Sequence, residues 1–173
     1  MLVIVSIMAA YFLYVSHAPF DMQLTSNAFR EGAAIPERHG KNFENTNPPL
    51  TIKNVPPKTV SFVLFMDDPD IPAAAGVPVW DHWVVFNIPA DTREIGENWR
   101  PTGVRGKGTR GELDYYGPRP PDREHRYFFH IYALDTDLDC KEGATKQEVQ
   151  DAMRDHILAS AELMGRYAPH INP

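Results

Sequence analysis

Apolar residues in this chain gather in short runs bounded by turn formers, not in long helical stripes. Residues 60–66 read Val-Ser-Phe-Val-Leu-Phe-Met, residues 82–88 His-Trp-Val-Val-Phe-Asn-Ile, and residues 127–134 Tyr-Phe-Phe-His-Ile-Tyr-Ala-Leu. Each has strand length and is nearly continuous in apolar character, which predicts strands in the middle of a sheet. Residues 22–29 alternate two sets of side chains and predict a first strand, and residues 50–54 predict another, ended by Pro56-Pro57. Gly32, Pro36, Gly40 and Asn47-Pro48-Pro49 punctuate the stretch between those two. Strands joined by Pro/Gly loops, mostly without helices between them, predict a mainly β, antiparallel fold. One helix is expected near the C-terminus. Thr145-Lys146-Gln147-Glu148 is a capping box, and Val149, Met153, Ile157, Ser160, Leu163, Met164 and Tyr167 follow at helical spacing up to Gly165 and Pro169. Its apolar stripe predicts an amphipathic helix packed on the sheet.

The 173 residues suffice for one domain with a sizeable core, and 43% hydrophobic with 23% charged residues is the composition of a folded globule. The formal net charge of −6 argues against a nucleic-acid partner, which needs a basic face, and against strong charge-driven membrane binding. One cysteine, Cys140, excludes an internal disulfide framework and a Cys-only zinc site; its acidic neighbours Asp139 and Glu142 oppose thiolate formation.

The first residues form a separate unit. Residues 1–15 are almost wholly apolar, too short to span a bilayer, and are followed by Ser16-His17-Ala18, a small-x-small cleavage pattern. Residues 1–18 therefore read as a signal-like or anchor segment and residues 19–173 as the domain. This favours an exported protein, whether periplasmic, secreted or membrane-anchored, over a cytoplasmic one. No Lys or Arg precedes the run and Pro19 follows the cut, so retention as an anchor stays open.

Three segments place titratable groups at the ends of strand-like runs: Asp67-Asp68-Pro69-Asp70-Ile71-Pro72, Trp80-Asp81-His82, and Tyr116-Gly117-Pro118-Arg119-Pro120-Pro121 leading into His125-Arg126-Tyr127. A rigid sheet can hold such groups around one pocket. Three chemistries fit the residue types. A metal could use Asp70, His82 and His125, but no spacing pre-orders two ligands. A hydrolase lacks a nucleophile elbow, and Asp68 and Asp70 are too close in sequence to flank a sugar ring. An anion receptor would use imidazoles, the Tyr127 hydroxyl and loop amides around Gly117 as donors, with the carboxylates holding histidines or loop amides. Gly106-Lys107-Gly108-Thr109-Arg110-Gly111 matches GxGxxG but opens no helix, so it is not a dinucleotide site. With Arg105, Lys107 and Arg110 it is a local positive rim.

These segments, with Ile35-Pro36, Asn47-Pro48-Pro49-Leu50 and the closing His156-Ile157-Leu158-Ala159-x-Ala161-Glu162-Leu163-Met164-Gly165-x-Tyr167, resemble the phosphatidylethanolamine-binding protein family, which includes Raf kinase inhibitor-like proteins. The likeness covers residues 22–167 and is to the prokaryotic branch. It implies a β-sandwich-like single domain with a few peripheral helices. It implies a small anion pocket for phosphate, a carboxylate such as acetate, or a phosphoethanolamine-type head group, made by Asp68, Asp70, Pro72, His82, Gly117, His125 and Tyr127. It implies no catalysis and, with the packed Asp-Pro-Asp-Ile-Pro turn, an Ile71–Pro72 bond in the cis form; no cofactor is expected, and the missing ligand spacing and the single cysteine predict no metal. The expected function is a binding protein that modulates another protein. The alternative is a protease or kinase inhibitor acting through a protein surface, with the pocket vestigial or regulatory. Arg119 stands where the family commonly has a small residue or cysteine.

Overall fold

A computed structural model describes residues 21–169; the signal-like segment at residues 1–18 lies outside the described residues. Two antiparallel sheets face each other. The smaller has the order β1 (Gln23–Thr25), β2 (Leu50–Lys53), β5 (Glu94–Ile95). The larger has the order β6 (Val104–Arg105), β4 (Trp80–Pro89), β3 (Ser61–Asp68), β7 (His125–Leu134), β8 (Ile157–Tyr167). The one α-helix among the described residues is α1 (Lys146–Met153), so the expected mainly β domain is the fold found.

The three long apolar runs became β3, β4 and β7, the centre of the large sheet. Every residue of β3 is buried, because both faces of this strand are covered. Phe62, Leu64 and Met66 meet Leu24, Leu50, Ile52 and Ile95 of the small sheet in the main core. Val63 and Phe65 point the other way and pack with Val149 and Met153 of α1. The alternation of side chains along a strand thus feeds two cores from one run of sequence.

Three expectations are corrected. The first strand covers only Gln23–Thr25 of residues 22–29; the chain then bends at Ser26, whose hydroxyl donates to the Pro49 carbonyl at 2.6 Å. The C-terminal helix is real at its start, where Thr145 and Glu148 form the complete capping box, but it ends at Met153. Residues 157–167 are instead an eleven-residue strand paired with β7 along its whole length. The apolar positions there fit both periods. Ala159, Ala161, Leu163, Gly165 and Tyr167 also alternate with Ser160, Glu162 and Arg166, and the long neighbour β7 selects the strand. Gly165 fits this reading: a Cβ there would come within 2.5 Å of Ile35 and 2.7 Å of Phe29. Finally, the Ile71–Pro72 bond is trans. Pro72 uses its φ of −59° to open the 3-10 turn Ala73–Ala75.

Candidate functional site

Antiparallel order brings the end of β3, the starts of β4 and β7 and the end of β8 to one edge of the large sheet. There a cavity of about 400 Å³ is lined by Asp68, Trp80, His82, Tyr116, Arg110, Arg119, Tyr167 and the prolines of the 118–121 loop, with Asn42, Ile71 and Pro169 completing the wall. A register shift in the β3–β4 ladder shapes it. Met66 pairs with Trp83, but Asp67 pairs with Asp81, so the extra residue forms a bulge and consecutive side chains His82 and Trp83 both turn inward. Trp83 enters the main core, and His82 reaches the cavity.

His82 is 4% exposed. Its Nδ1 lies 2.6 Å from the Tyr116 carbonyl oxygen. A carbonyl only accepts, so Nδ1 carries the hydrogen, and Nε2 has no hydrogen-bond partner among the described residues. Burial holds the His82 pKa below the ordinary histidine value, against the pull of the Tyr116 carbonyl and of Asp68. The resting ring is therefore neutral, with Nε2 as an acceptor.

Asp68 is fixed on two sides. One oxygen accepts from the Asp70 amide at 2.9 Å, and the other lies 2.7 Å from Nδ1 of His125. The turn-capping and histidine-orienting roles open to this carboxylate in the sequence are thus combined. His125 is fully buried, and its Nε2 meets Asp122 at 2.8 Å. Both ring nitrogens face carboxylates, an arrangement that both bonds satisfy only when each nitrogen carries a hydrogen. The Tyr127 ring stands edge-on to His82 at 5.3 Å between centroids. Among the described residues its buried hydroxyl makes no hydrogen bond of ordinary geometry. Burial first, and the Asp68 charge second, push its pKa well up, so it stays a neutral O–H.

Of the expected site residues, Asp68 and His82 line the cavity. His125 and Tyr127 stand behind them. Gly117 serves packing: its amide donates to Asn45 at 2.8 Å, and a Cβ would come within 2.2 Å of the His39 carbonyl oxygen. Pro72 belongs to the turn, not the wall. Asp70 is bound by Arg126 through its backbone amide and two guanidinium nitrogens at 2.7–2.9 Å, and these bonds hold its pKa at about 2. That clamp ties the end of β3 to the start of β7. Asp70→Asn is expected to cost about 1–2 kcal/mol of stability in urea denaturation while changing sulfate affinity less than about threefold; a larger loss of affinity would place Asp70 in the binding wall.

Trp80, Asn42 and Tyr167 were not singled out as site residues. Trp80 had a signal, since it alternates with His82 on one strand. Tyr167 had none, because its place depends on pairing with His125 across β7 and β8. On the opposite face of the sheet, Lys146 bridges Asp67 at 2.6 Å and Asp81 at 3.3 Å, and His130 lies between Asp67 and Glu162. Burial would raise Asp67, but His130 and Lys146 together lower it. This network joins α1 to the sheet. Of the positive rim formed by Arg105, Lys107 and Arg110, Arg105 is paired with Asp114 and Glu142, and only Arg110 reaches the cavity. Among the described residues no group of three or more His, Cys, Asp or Glu is placed to hold a metal ion, and no helix is long and apolar enough to cross a membrane.

Comparison with known proteins gives a consistent picture. The family model described as phosphatidylethanolamine-binding protein matches residues 25–168. A UPF0098 protein of Methanothermobacter thermautotrophicus is 44% identical over 152 residues, spanning 84% of this chain and 98% of the relative. One from Chlamydia trachomatis is 42% identical over 147 residues, with the same coverage. Among solved structures, a Chlamydia trachomatis protein described as a phosphatidylethanolamine-binding protein homolog superposes with a TM-score of 0.82 at 42% identity, covering 84% of this chain and 96% of that one. Escherichia coli YbcL, described as a member of the mammalian family, gives a TM-score of 0.77 at 30% identity, covering 87% and 99%.

Proposed function

Because this chain belongs to the phosphatidylethanolamine-binding protein family, we propose that its cavity receives a small anion, phosphate or a phosphoethanolamine-type head group, and that the protein works by binding, without catalysis. The family fold suggests a ligand-binding protein. One observation carries it: His82 spends Nδ1 on the Tyr116 carbonyl and presents Nε2 at the cavity wall beside Asp68.

The chemistry follows from that tautomer. A neutral Nε2 is a lone pair and repels a bare anion. Protonation converts it into a donor while the bond to Tyr116 is kept, so anion binding is coupled to uptake of one proton by His82. A protonated phosphate oxygen could bring that proton with it. Asp68 does not oppose the anion with a free charge, because His125 and the Asp70 amide already hold both of its oxygens.

Titration calorimetry with sulfate and with O-phosphoethanolamine tests the reading. The expected result is saturable one-to-one binding to the wild type and at least a tenfold loss in His82→Ala. Repeating the titration in buffers of different ionisation enthalpy should show about one proton taken up per sulfate. No saturable binding, or binding that His82→Ala leaves intact, would overturn the anion reading.

A further inference from the structure

We propose that the mouth of this cavity selects a ligand carrying a second negative group beside its phosphate, a carboxylate or another phosphate, over a zwitterionic head group. The proposal rests on the anion reading above and names the ligand class of the same site.

The observation is a set of cations that have no counter-charge among the described residues. Arg110 and Arg119 line the cavity, and both are exposed at its rim. The Tyr116 ring, also in the wall, holds two cations at once. Lys41 Nζ lies 4.8 Å from its centroid and the Arg110 guanidinium 5.8 Å. Among the described residues, none of Lys41, Arg110 and Arg119 makes an ion pair within 4.0 Å. Nearby arginines behave differently. Arg105 is held by Asp114 and Glu142, Arg123 by Asp122, and Arg126 by Asp70. In a chain of net charge −6, carboxylates are plentiful, yet among the described residues Arg110 and Arg119 at this opening and Lys41 beside the Tyr116 ring have none within 4.0 Å.

The electrostatics favour an added anion there. Two cations drawn to one aromatic ring repel each other, and an anionic group between them and Arg119 relieves that repulsion. A guanidinium offers a planar pair of donors that matches a carboxylate or phosphate, so the contact is directional as well as charged. The arrangement also disfavours an ammonium. A phosphoethanolamine whose phosphate sits at His82 must place its ammonium in the same 400 Å³ space, toward this cationic rim. A phosphoserine-type group adds one carboxylate on the carbon that bears the ammonium, which supplies the missing counter-charge. That chemistry occurs both as a free phosphate ester and as a lipid head group.

The experiment compares O-phosphoserine with O-phosphoethanolamine, two ligands that differ by one carboxylate, in calorimetric titrations against the full protein. The expected result is about tenfold tighter binding of O-phosphoserine at low salt, narrowing as salt screens the rim. Arg119→Gln and Arg110→Gln should each shrink the ratio between the two ligands toward one, whatever they do to either affinity alone. The ratio isolates the contact between the ligand carboxylate and the arginine, in the manner of a double-mutant cycle. Sedimentation with vesicles containing phosphatidylserine or phosphatidylethanolamine separates the sources. Vesicle binding that follows phosphatidylserine and is lost in Arg119→Gln indicates the lipid, and tight binding of the free ester alone indicates a soluble ligand. Equal affinities for the two esters, or a ratio that both variants leave unchanged, overturn the proposal while the anion reading stands. If neither ester nor sulfate binds, it is the anion reading that fails.

Discussion

Asp68→Ala is expected to lower the free energy of unfolding by about 3–5 kcal/mol, the loss typical of breaking a buried charged pair. The side chain is 3% exposed and the His125 ring it meets at 2.7 Å is fully buried. Removing the carboxylate leaves His125 Nδ1 without an acceptor and frees the Asp70 amide that Asp68 caps. Asp122 remains on the other ring nitrogen, but it is largely solvated and cannot compensate a buried N–H. Equilibrium urea denaturation measures the loss, and Asp68→Asn separates its parts. The amide keeps one acceptor oxygen, enough for His125 or for the Asp70 amide but not for both, and it loses the charge, so it should recover only part of the stability. A loss below about 1 kcal/mol for Asp68→Ala would mean that His125 is not held by this bond. Either variant should also weaken sulfate binding, because His82 and Asp68 share one wall.

The second large effect is on pH. Burial lowers the pKa of His82 and of His39, the latter also fully buried and bonded through Nδ1 to the Thr46 carbonyl at 2.8 Å. A histidine kept neutral by the fold leaves stability intact above its unfolded pKa of about 6.5. Below that value the unfolded chain takes up protons that the folded chain refuses. Stability then falls with pH, by about 1.4 kcal/mol per unit for each such histidine, until the lowered folded value is reached. The melting temperature without ligand is therefore expected to drop between pH 7 and pH 5. Sulfate reverses the sign for His82, since a bound anion stabilises the imidazolium. Affinity should rise about tenfold for each unit that pH falls between the bound-state and free-state pKa of His82, and saturating sulfate should offset part of the acid loss. Calorimetric titration with sulfate from pH 5.5 to 8 gives the slope, and His82→Ala should flatten it. A flat wild-type profile would mean that backbone amides and a neutral ring hold the anion.

Much of this architecture was legible along the chain. The apolar runs at residues 60–66, 82–88 and 127–134 had no stable place except the middle of a sheet, so β3, β4 and β7 follow from composition and length alone. The Thr145–Glu148 capping box is a local device, complete within one turn, and the helix starts where it says. The polar groups that close the strands follow the same local logic. Asp68, His82 and His125 stand at strand ends because the apolar runs stop there, and antiparallel pairing then gathers those ends at one edge.

What the chain alone left undecided depends on partners distant in sequence. Residues 157–167 carry an apolar pattern that satisfies both helical and strand periods, and ten residues of β7 laid alongside decide for the strand. The direction of His82 depends on a bulge set by the pairing of Asp67 with Asp81; an unbroken ladder would send it to the other face. The division of labour among the candidate residues has the same origin. Asp70 is taken by Arg126, His125 by Asp68 and Asp122, and the Gly117 amide by Asn45, which leaves His82 as the imidazole at the cavity. Lys41, Arg110 and Arg119, without ion-pair partners among the described residues, lie in different loops, and nothing local brings them together. Local sequence determined where strands, turns and the helix cap form, because those choices are settled within a few residues. Which polar group meets a ligand, and which is consumed in holding another, was settled by tertiary structure, because hydrogen bonds and charges act over a few ångströms between residues tens of positions apart.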